Sequence, residues 1–580
     1  MSDTPVDPLR SVLAELAPQG RSALLPALQA AQRHHGWIDQ DIAKKVSVAL
    51  GVPLADIFGV LDFYAMLYRE PVGRTVLRVC SAPVCALAGA DALADSLCRH
   101  LQIASGEISS DGEFTIEHAP CLGLCDRAPV VLAGEAVVAP ADPVRPASIC
   151  APTKQTTPSF VGGDIRILTG HCGNGRTTSL ADYRKRGGYA GLKKALTMTS
   201  QSVLAEVKAA GLVGRGGAAF PTGIKWEGAA NALGQPKYIV CNADESEPGT
   251  FKDRILMEQD PHRTIEGMTI AAYAVGASRG YVYVRGEYRY AFDIMSTAVV
   301  AAREAGIIGA NVFGSQLSFD IEMRLGAGAY ICGEETALLE SIEGKRGLPR
   351  IKPPFPTTNG LFGKPTVINN VETFCNVPLI IERGAHEYRK LGTEKSPGSK
   401  LFCVSGQVER PGLYEVPFGI SLRHLVFDLA GGVKPNRKLQ ALLMGGAAGA
   451  FALEKDLDVI LSFESLSAAA LPLGSGAVMV FDDTADMRDV LKRLAHFFAD
   501  ESCGKCYPCQ LGTWRQHELL ERGAAGHPVV GDRERLSDIG VTMIDASLCG
   551  LGQTAPLAVL SAMKLWPEMF NPQHSGRGDS

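Results

Sequence analysis

The spacing of cysteine limits what this chain can fold into more than any other feature. Of its 15 cysteines, four lie near one end, Cys80, Cys85, Cys121 and Cys125, and four near the other, Cys503, Cys506, Cys509 and Cys549. An iron-sulfur cluster takes four thiolates, usually a close group plus ligands folded in from elsewhere. Both quartets have that form, so each predicts loops that converge on one point. In the first, two thiolates on each of two adjacent loops suit a flat [2Fe-2S] rhomb. Zinc is the alternative, although zinc pairs usually sit two to four residues apart and commonly two. The Cys-x-x-Cys of a disulfide redox motif is absent there. In the second, Cys503, Cys506 and Cys509 cap one face of a cubane and Cys549 closes it, which predicts [4Fe-4S] with zinc again the alternative. Glycines beside these cysteines leave backbone amides free to approach the sulfides. A chain built this way reads as an electron carrier.

The 580 residues exceed what one core usually supports, so roughly three to five domains are expected. Charged residues make up 21% and the formal net charge is -5, which carries no polyanion-binding signal and argues against nucleic acid as a partner. The first residues lack a basic region followed by an apolar one, and no stretch approaches the ~18 apolar residues of a membrane span. The expectation is a cytoplasmic chain without a membrane segment. Cys241, Cys332 and Cys403 lie in apolar runs and read as buried free thiols.

Helical periodicity over 8–68 predicts a small helical unit. A strand at 75–79, a helix at about 86–100 and shorter strands near Phe114 and Val130 then predict a small α/β domain with both cysteine pairs in its loops. Pro140, Pro143, Pro146, Pro152 and Pro158, interleaved with Ser and Thr, read as a linker. Residues 180–400 alternate helices with apolar strands such as 238–242 and 280–285, the pattern of an α/β layered domain. Strand-like runs at 400–404, 413–416 and 477–481 predict a compact β-rich module, and the rest is helical. The expected boundaries are 1–70, 71–145, a linker at 146–180, 181–400, 401–485 and 486–580.

Between the cysteine quartets lie two glycine-rich loops. Gly214-Arg-Gly-Gly-Ala-Ala219 matches G-x-G-x-x-G/A, but a helix rather than a strand precedes it, unlike an ordinary dinucleotide fingerprint. It still suits a phosphate, because glycines admit close backbone approach and the next segment begins a helix. The second loop, 326–335, also runs into a helix. Either alone could be a tight packing turn; two in one α/β domain suggest a large planar cofactor with a phosphate tail. Asn242-Ala-Asp-Glu-Ser-Glu247 ends an apolar strand, where side chains face the ligand crevice of open α/β sheets. Lys352-Pro-Pro-Phe355 sets a cation and an aromatic on a stiff segment, and Asn369-Asn370 adds amides.

These motifs, with Gly-Ala-Gly-Ala-Tyr-Ile-Cys-Gly-Glu-Glu at 326–335 and Pro-Gly-Thr-Phe-Lys-Asp at 248–253, resemble the large FMN- and NADH-binding subunit of respiratory complex I. Residues 1–150 resemble its smaller [2Fe-2S] partner. The resemblance implies an α/β multidomain fold: an N-terminal helical bundle with a thioredoxin-like [2Fe-2S] domain, a Rossmann-like FMN/NADH domain, a β-grasp (ubiquitin-like) module and a C-terminal helical bundle holding [4Fe-4S]. It implies FMN contacts at Gly214, Arg215, Gly216, Gly217, Lys225, Asn242, Asp244, Glu245, Tyr330, Gly333, Glu334, Asn369, Asn370 and Thr373. NAD(H) would be held by Glu247, Glu335 and Lys352, with Phe220 and Phe355 stacking; Glu247 and Glu335 are the residues carried over as catalytic. The family usually has Gly where Ala219 stands. Fused chains of this kind also resemble diaphorase subunits of NAD-linked hydrogenases and the β subunit of cytosolic formate dehydrogenases. The run 545–556, Asp-Ala-Ser-Leu-Cys-Gly-Leu-Gly-Gln-Thr-Ala-Pro, is most similar to the formate dehydrogenase form, and the complete first quartet leans the same way. The implied partner is a catalytic α subunit carrying a molybdopterin-bound Mo or W centre and further iron-sulfur clusters. A hydrogenase diaphorase and a fused complex I subunit are the alternatives.

Overall fold

The computed structural model describes residues 8–152, 158–173, 175 and 177–570. Its N-terminal part holds helices Pro8–Leu16, Leu24–His35, Gln40–Leu50 and Leu54–Leu61. Asp39 caps the third by accepting from the amides of Asp41 and Ile42, and Gly51 ends it in the left-handed region, where glycine carries no Cβ penalty. Ile42, Ala43, Val46 and Leu50 form that helix's buried face. The bundle does not close its core alone: Leu338, Leu339 and Ile342 of the central domain belong to the same apolar cluster. The Tyr64 hydroxyl bonds Ser341 Oγ across this junction at 2.6 Å.

Next comes a four-stranded sheet in the order Phe114–Ala119, Thr75–Cys80, Val131–Ala133, Ala136–Val138, its first pair parallel and the rest antiparallel. The helix expected at 86–100 is two helices, Pro83–Leu87 and Ala90–Leu101. They part at Gly89, whose φ of 93° lies outside the helical region.

The central domain is a parallel sheet ordered Asp320–Leu325, Arg279–Val284, Tyr238–Ala243, Thr366–Asn370, with helices packed on it. Register places Asn242 beside Asn370 at the strands' carboxyl ends, where loops leave the sheet and a crevice opens.

The segment expected to be a linker is partly built into the fold. Pro146–Cys150 is a helical turn, and Val161–Gly162 adds a parallel edge strand to Gly412–Pro417. The buried Glu415 carboxylate accepts from the amides of Leu168 and Thr169 and from the hydroxyls of Thr169 and Ser399. That strand completes a six-stranded sheet with Ala450–Ala452, Leu439–Met444, Ala477–Asp482 and Ser399–Gly406. Residues 153–157 fall outside the described residues. Helices Met487–Glu501, Tyr507–Ala524, Asp532–Ala546, Gly550–Thr554 and Leu557–Leu565 follow that sheet. Among the described residues no helix is long and apolar enough to cross a membrane.

Candidate functional site

At the carboxyl ends of the central strands lies a cavity of about 1120 Å³, large enough for a cofactor and a second ligand. Its central-domain wall comprises Gly216, Gly217, Asn242, Asp244, Glu245, Glu247, Tyr330, Gly333, Glu334 and Asn370. These glycines leave the floor free of side chains. A Cβ on Gly216 would crowd that of Asn370 at 3.0 Å, whereas one on Gly333 would only touch the Asp244 carbonyl at 3.4 Å. Gly217 has a φ of +118°. Ala219 also has a positive φ, 52°, which explains the family's glycine there and costs an L-residue about 1–2 kcal/mol.

The acidic loop is held by its neighbours. Asn242 Nδ2 donates to the Gly333 carbonyl at 2.8 Å, tying the two loops together. Glu245 accepts from the amides of Asp253 and Arg254, each at 3.0 Å. Glu247 Oε1 accepts from the Ala448 amide at 3.0 Å. Burial pushes Glu245 and Glu247 up to about 7 and Asp244 well above the usual carboxylate range. Asp244 Oδ2 is buried with no hydrogen-bond partner, an orphaned acceptor that a bound ligand's donor would satisfy. An orphaned carboxylate over a glycine cradle fits FMN.

Several residues expected in the site lie off this wall. Arg215 is buried: its guanidinium donates to Tyr388 Oη and the Pro397 carbonyl and lies over the Phe418 ring. Its amide donates to Thr373 Oγ1 at 2.9 Å, so Arg215 and Thr373 pin the glycine loop from behind instead of lining the cavity. Gly214 bonds Phe220 O, and Asn369 Oδ1 accepts from Trp226 Nε1. Lys225 Nζ reaches the Ile368 carbonyl at 3.1 Å and Glu335 at 3.4 Å. Lys352 Nζ then bridges Glu335 at 3.2 Å and Glu334 at 3.0 Å, so this ion chain meets the wall at Glu334. Both lysines hold Glu335 below the usual range against the burial that would raise it. Phe220 and Phe355 are 50% and 56% exposed, free to stack.

The first cysteine quartet is almost wholly buried. Hydrogen bonds with neighbouring thiols, reinforced by burial, push Cys80 and Cys125 well up, while bonds from Cys125 and Cys80 hold Cys121 well below the usual thiol range. Four thiols so placed are a donor set for a cationic centre. Tyr288 Oη donates to the Gly123 carbonyl of the cysteine loop at 3.2 Å and reaches the Glu245 carboxylate at 3.4 Å. Arg285 spans the gap, donating to the Cys121 carbonyl at 2.7 Å and the Glu245 carbonyl at 2.8 Å. A Cβ on Gly123 would collide with the Tyr288 hydroxyl at 2.0 Å, so the cysteine loop seats tightly.

Cys503, Cys506, Cys509 and Cys549 line one small cavity whose walls include Ile331 and Leu551, residues that also line the large one. Burial pushes Cys509 up to about 12 and Cys549 up to about 11. Glu501 accepts from the Tyr330 amide at 2.8 Å, a second link between cage and cavity. Among the described residues no group of three or more His, Cys, Asp or Glu side chains is arranged around a single ion; a cluster bringing its own sulfides needs a wider cage. Cys241, Cys332 and Cys403 are buried free thiols, as expected.

Other parts of the cavity wall are not expected from the sequence; they include Gly445, Ala448, Lys455 and 469–475 from the β-rich module, and Leu551, Thr554, Leu557 and Lys564 from the C-terminal helices. The Gly445-Gly446 pair is the one signal in the sequence, and its φ values of 91° and 87° are why glycine stands there.

Family models agree with this arrangement. Residues 207–379 match the Nuo51 FMN-binding domain, 9–154 the thioredoxin-like [2Fe-2S] ferredoxin, and 489–573 the NADH-ubiquinone oxidoreductase-F iron-sulfur binding region. The chain is 50% identical over 386 residues to an NADH-quinone oxidoreductase F subunit of Rhizobium meliloti, covering 66% of this chain and 92% of that one. It is 35% identical over 561 residues to the NAD-reducing hydrogenase HoxS subunit alpha of Cupriavidus necator, covering 95% and 92%. A crystal structure of an NAD+-reducing [NiFe]-hydrogenase in the air-oxidized state superposes with a TM-score of 0.83 at 34% identity, covering 94% and 93%. Fold and site thus define a flavin- and iron-sulfur-binding oxidoreductase subunit. The chain belongs to the NADH dehydrogenase-type family in which the thioredoxin-like [2Fe-2S] module and the Nuo51 module are fused.

Proposed function

We propose that this chain is the diaphorase subunit of a cytoplasmic NAD-dependent formate dehydrogenase, exchanging electrons between NAD(H) and a partner bearing a molybdenum or tungsten centre. The observation that carries the diaphorase reading is the joining of two four-thiol cages to one glycine-floored cavity, through Arg285 and Tyr288 on one wall and through Ile331 and Leu551 on another. Bound FMN supplies the step between hydride, which moves two electrons, and clusters, which take one.

The residues then have distinct tasks. Gly216, Gly217 and Gly333 let backbone approach the flavin, Asn242 and Asn370 offer amides, and Asp244 accepts from it. Glu247, aimed by Ala448, receives ribose hydroxyls and would repel a 2'-phosphate, favouring NAD over NADP. Phe220 and Phe355 stack on the dinucleotide, and Glu335 with Lys352 holds its mouth-side end. Arg215, Lys225, Asn369 and Thr373 position the loops that do this. The six-stranded module is a β-grasp unit closing the cavity.

Formate is supported by the Ser-Leu-Cys549-Gly-Leu-Gly-Gln setting and the complete first quartet. A hydrogenase partner is the second reading, favoured by near full-length likeness to an NAD-reducing hydrogenase subunit. The native complex decides between them. NAD+ reduction with formate, accompanied by molybdenum or tungsten, supports the first; nickel, hydrogen oxidation and indifference to formate would replace it with the second.

A further inference from the structure

Both ligands assigned to the large cavity carry phosphate, yet its walls are mostly acidic. FMN ends in a phosphate and NAD(H) is joined through a pyrophosphate, so each brings negative charge that needs donors or cations. Six carboxylates line the cavity, five of them from the central domain. Against them stand two cations, Lys455 and Lys564, and among the described residues no Arg or His. Lys225 and Lys352 lie off this wall, paired with Glu335 and Glu334. The glycine loop and the helix that follows it can take one phosphate through backbone amides, which leaves these two lysines as the counter-charge for another.

The lysines meet at one junction. Lys564 is on the helix Leu557–Leu565, and Lys455 is in the turn Glu454–Asp456, just after the strand Ala450–Ala452. Helix and strand pack together: the Phe451 amide donates to Ser561 Oγ at 2.9 Å, and the Phe451 and Trp566 rings lie 5.3 Å apart. Ser561 and Lys564, three residues apart, share a helix face, and both line the cavity beside Phe451 and Lys455. Both lysines are exposed, and neither forms an ion pair or side-chain hydrogen bond among the described residues. Asp456, the one acid that these two walls supply, accepts from the Leu453 amide at 2.9 Å.

We propose that Lys455 and Lys564 form a phosphate-binding subsite where the β-rich module meets the C-terminal helices, for the phosphate of a nucleotide that enters the cavity beside the flavin. This rests on the diaphorase reading for what the cavity holds and adds where the anionic end is held. Ammonium groups on flexible stems bind phosphate as point charges, and the acidic central-domain wall repels it, so the pair fixes which way a phosphorylated ligand lies. The phosphate belongs to the dinucleotide or to a separate nucleotide, and the test tells the two apart.

The test titrates inorganic pyrophosphate into the full chain, loaded with FMN and iron-sulfur clusters, by calorimetry, and compares Lys455→Ala/Lys564→Ala with Lys455→Arg/Lys564→Arg. Losing two charge-assisted contacts should weaken pyrophosphate binding about tenfold or more. The arginine pair should restore it, and rising salt should weaken it in the unmodified chain. If the dinucleotide supplies the phosphate, KM for NADH in the ferricyanide assay rises by a similar factor in the alanine variant with kcat held, and pyrophosphate competes with NADH. If a separate nucleotide does, that KM stays and saturating NADH leaves pyrophosphate binding unchanged. Equal pyrophosphate binding by the unmodified chain and the alanine variant would overturn the proposal. So would loss of FMN from the alanine variant, which would give the lysines to the flavin's own phosphate. Should the double variant fail to fold, Lys455→Ala alone, outside the C-terminal helices, decides by the same titration. A loaded chain that binds pyrophosphate but never oxidises NADH would bring down the diaphorase reading and leave the subsite standing, so the two failures are distinct.

Discussion

Gly446→Ala probes how the β-rich module completes the nucleotide site. Gly446 has a φ of +87°, and a Cβ there would lie 2.6 Å from Glu247 Cδ and 2.7 Å from its Oε1. The left-handed backbone costs an alanine about 1–2 kcal/mol, equivalent to a fall in Tm of roughly 2–8 °C at ~2–4 °C per kcal/mol. The clash cannot be absorbed where it stands, so the Glu247 carboxylate must leave the Ala448 amide. Misplacing a charged acceptor removes about 1.5–3 kcal/mol of ligand hydrogen bonding, or roughly 10- to 150-fold in kcat/KM. Steady-state NADH oxidation by ferricyanide measures this, with FMN content as the control. The loss should fall mainly on KM, with flavin retained. A folded, flavin-loaded variant with unaltered kcat/KM would show that Glu247 does not receive the nucleotide.

Cys506→Ser should abolish the [4Fe-4S] EPR signal and coupled turnover while NADH–ferricyanide activity survives; Cys121→Ser should lower coupled turnover less, and equal abolition with FMN retained would put both clusters on the main path. Lys252 is fully buried against Asp253 at 2.7 Å and Glu372 at 3.2 Å, so Lys252→Met leaves unpaired buried charge and should cost about 3–5 kcal/mol; an unshifted Tm would refute that network's role. Burial raises Glu247 from its usual value to about 7, so its contribution to stability is full below about pH 4.5 and is lost as pH rises to about 7. The Tm of flavin-free wild type should therefore fall relative to Glu247→Gln over that window, and a rise would reverse the assignment.

The cysteine cages and glycine loops were legible because their ligands sit a few residues apart and local spacing states the chemistry. What joins distant segments was not. Glu247 meets Ala448 across 201 residues, and nothing near Gly446 announces an acid above it. The resemblance carries Arg215 over as a ligand with the rest of its glycine loop, yet Tyr388, Pro397 and Phe418 bury it, contacts set only by tertiary packing. The proline-rich stretch looks like a linker because its strand, Val161–Gly162, is two residues long and shows no periodicity. Ala219 stands out in the sequence as a departure from glycine; its positive φ supplies the reason.

Anaerobic titration of the isolated, FMN- and iron-sulfur-loaded chain with NADH, followed by flavin absorbance and by EPR, tests the central claim most directly. One chain joining a nucleotide cavity to two cluster cages predicts that NADH alone bleaches the flavin and brings up the [4Fe-4S] signal without any partner. A fully loaded chain whose flavin and cluster spectra NADH leaves unchanged would contradict it.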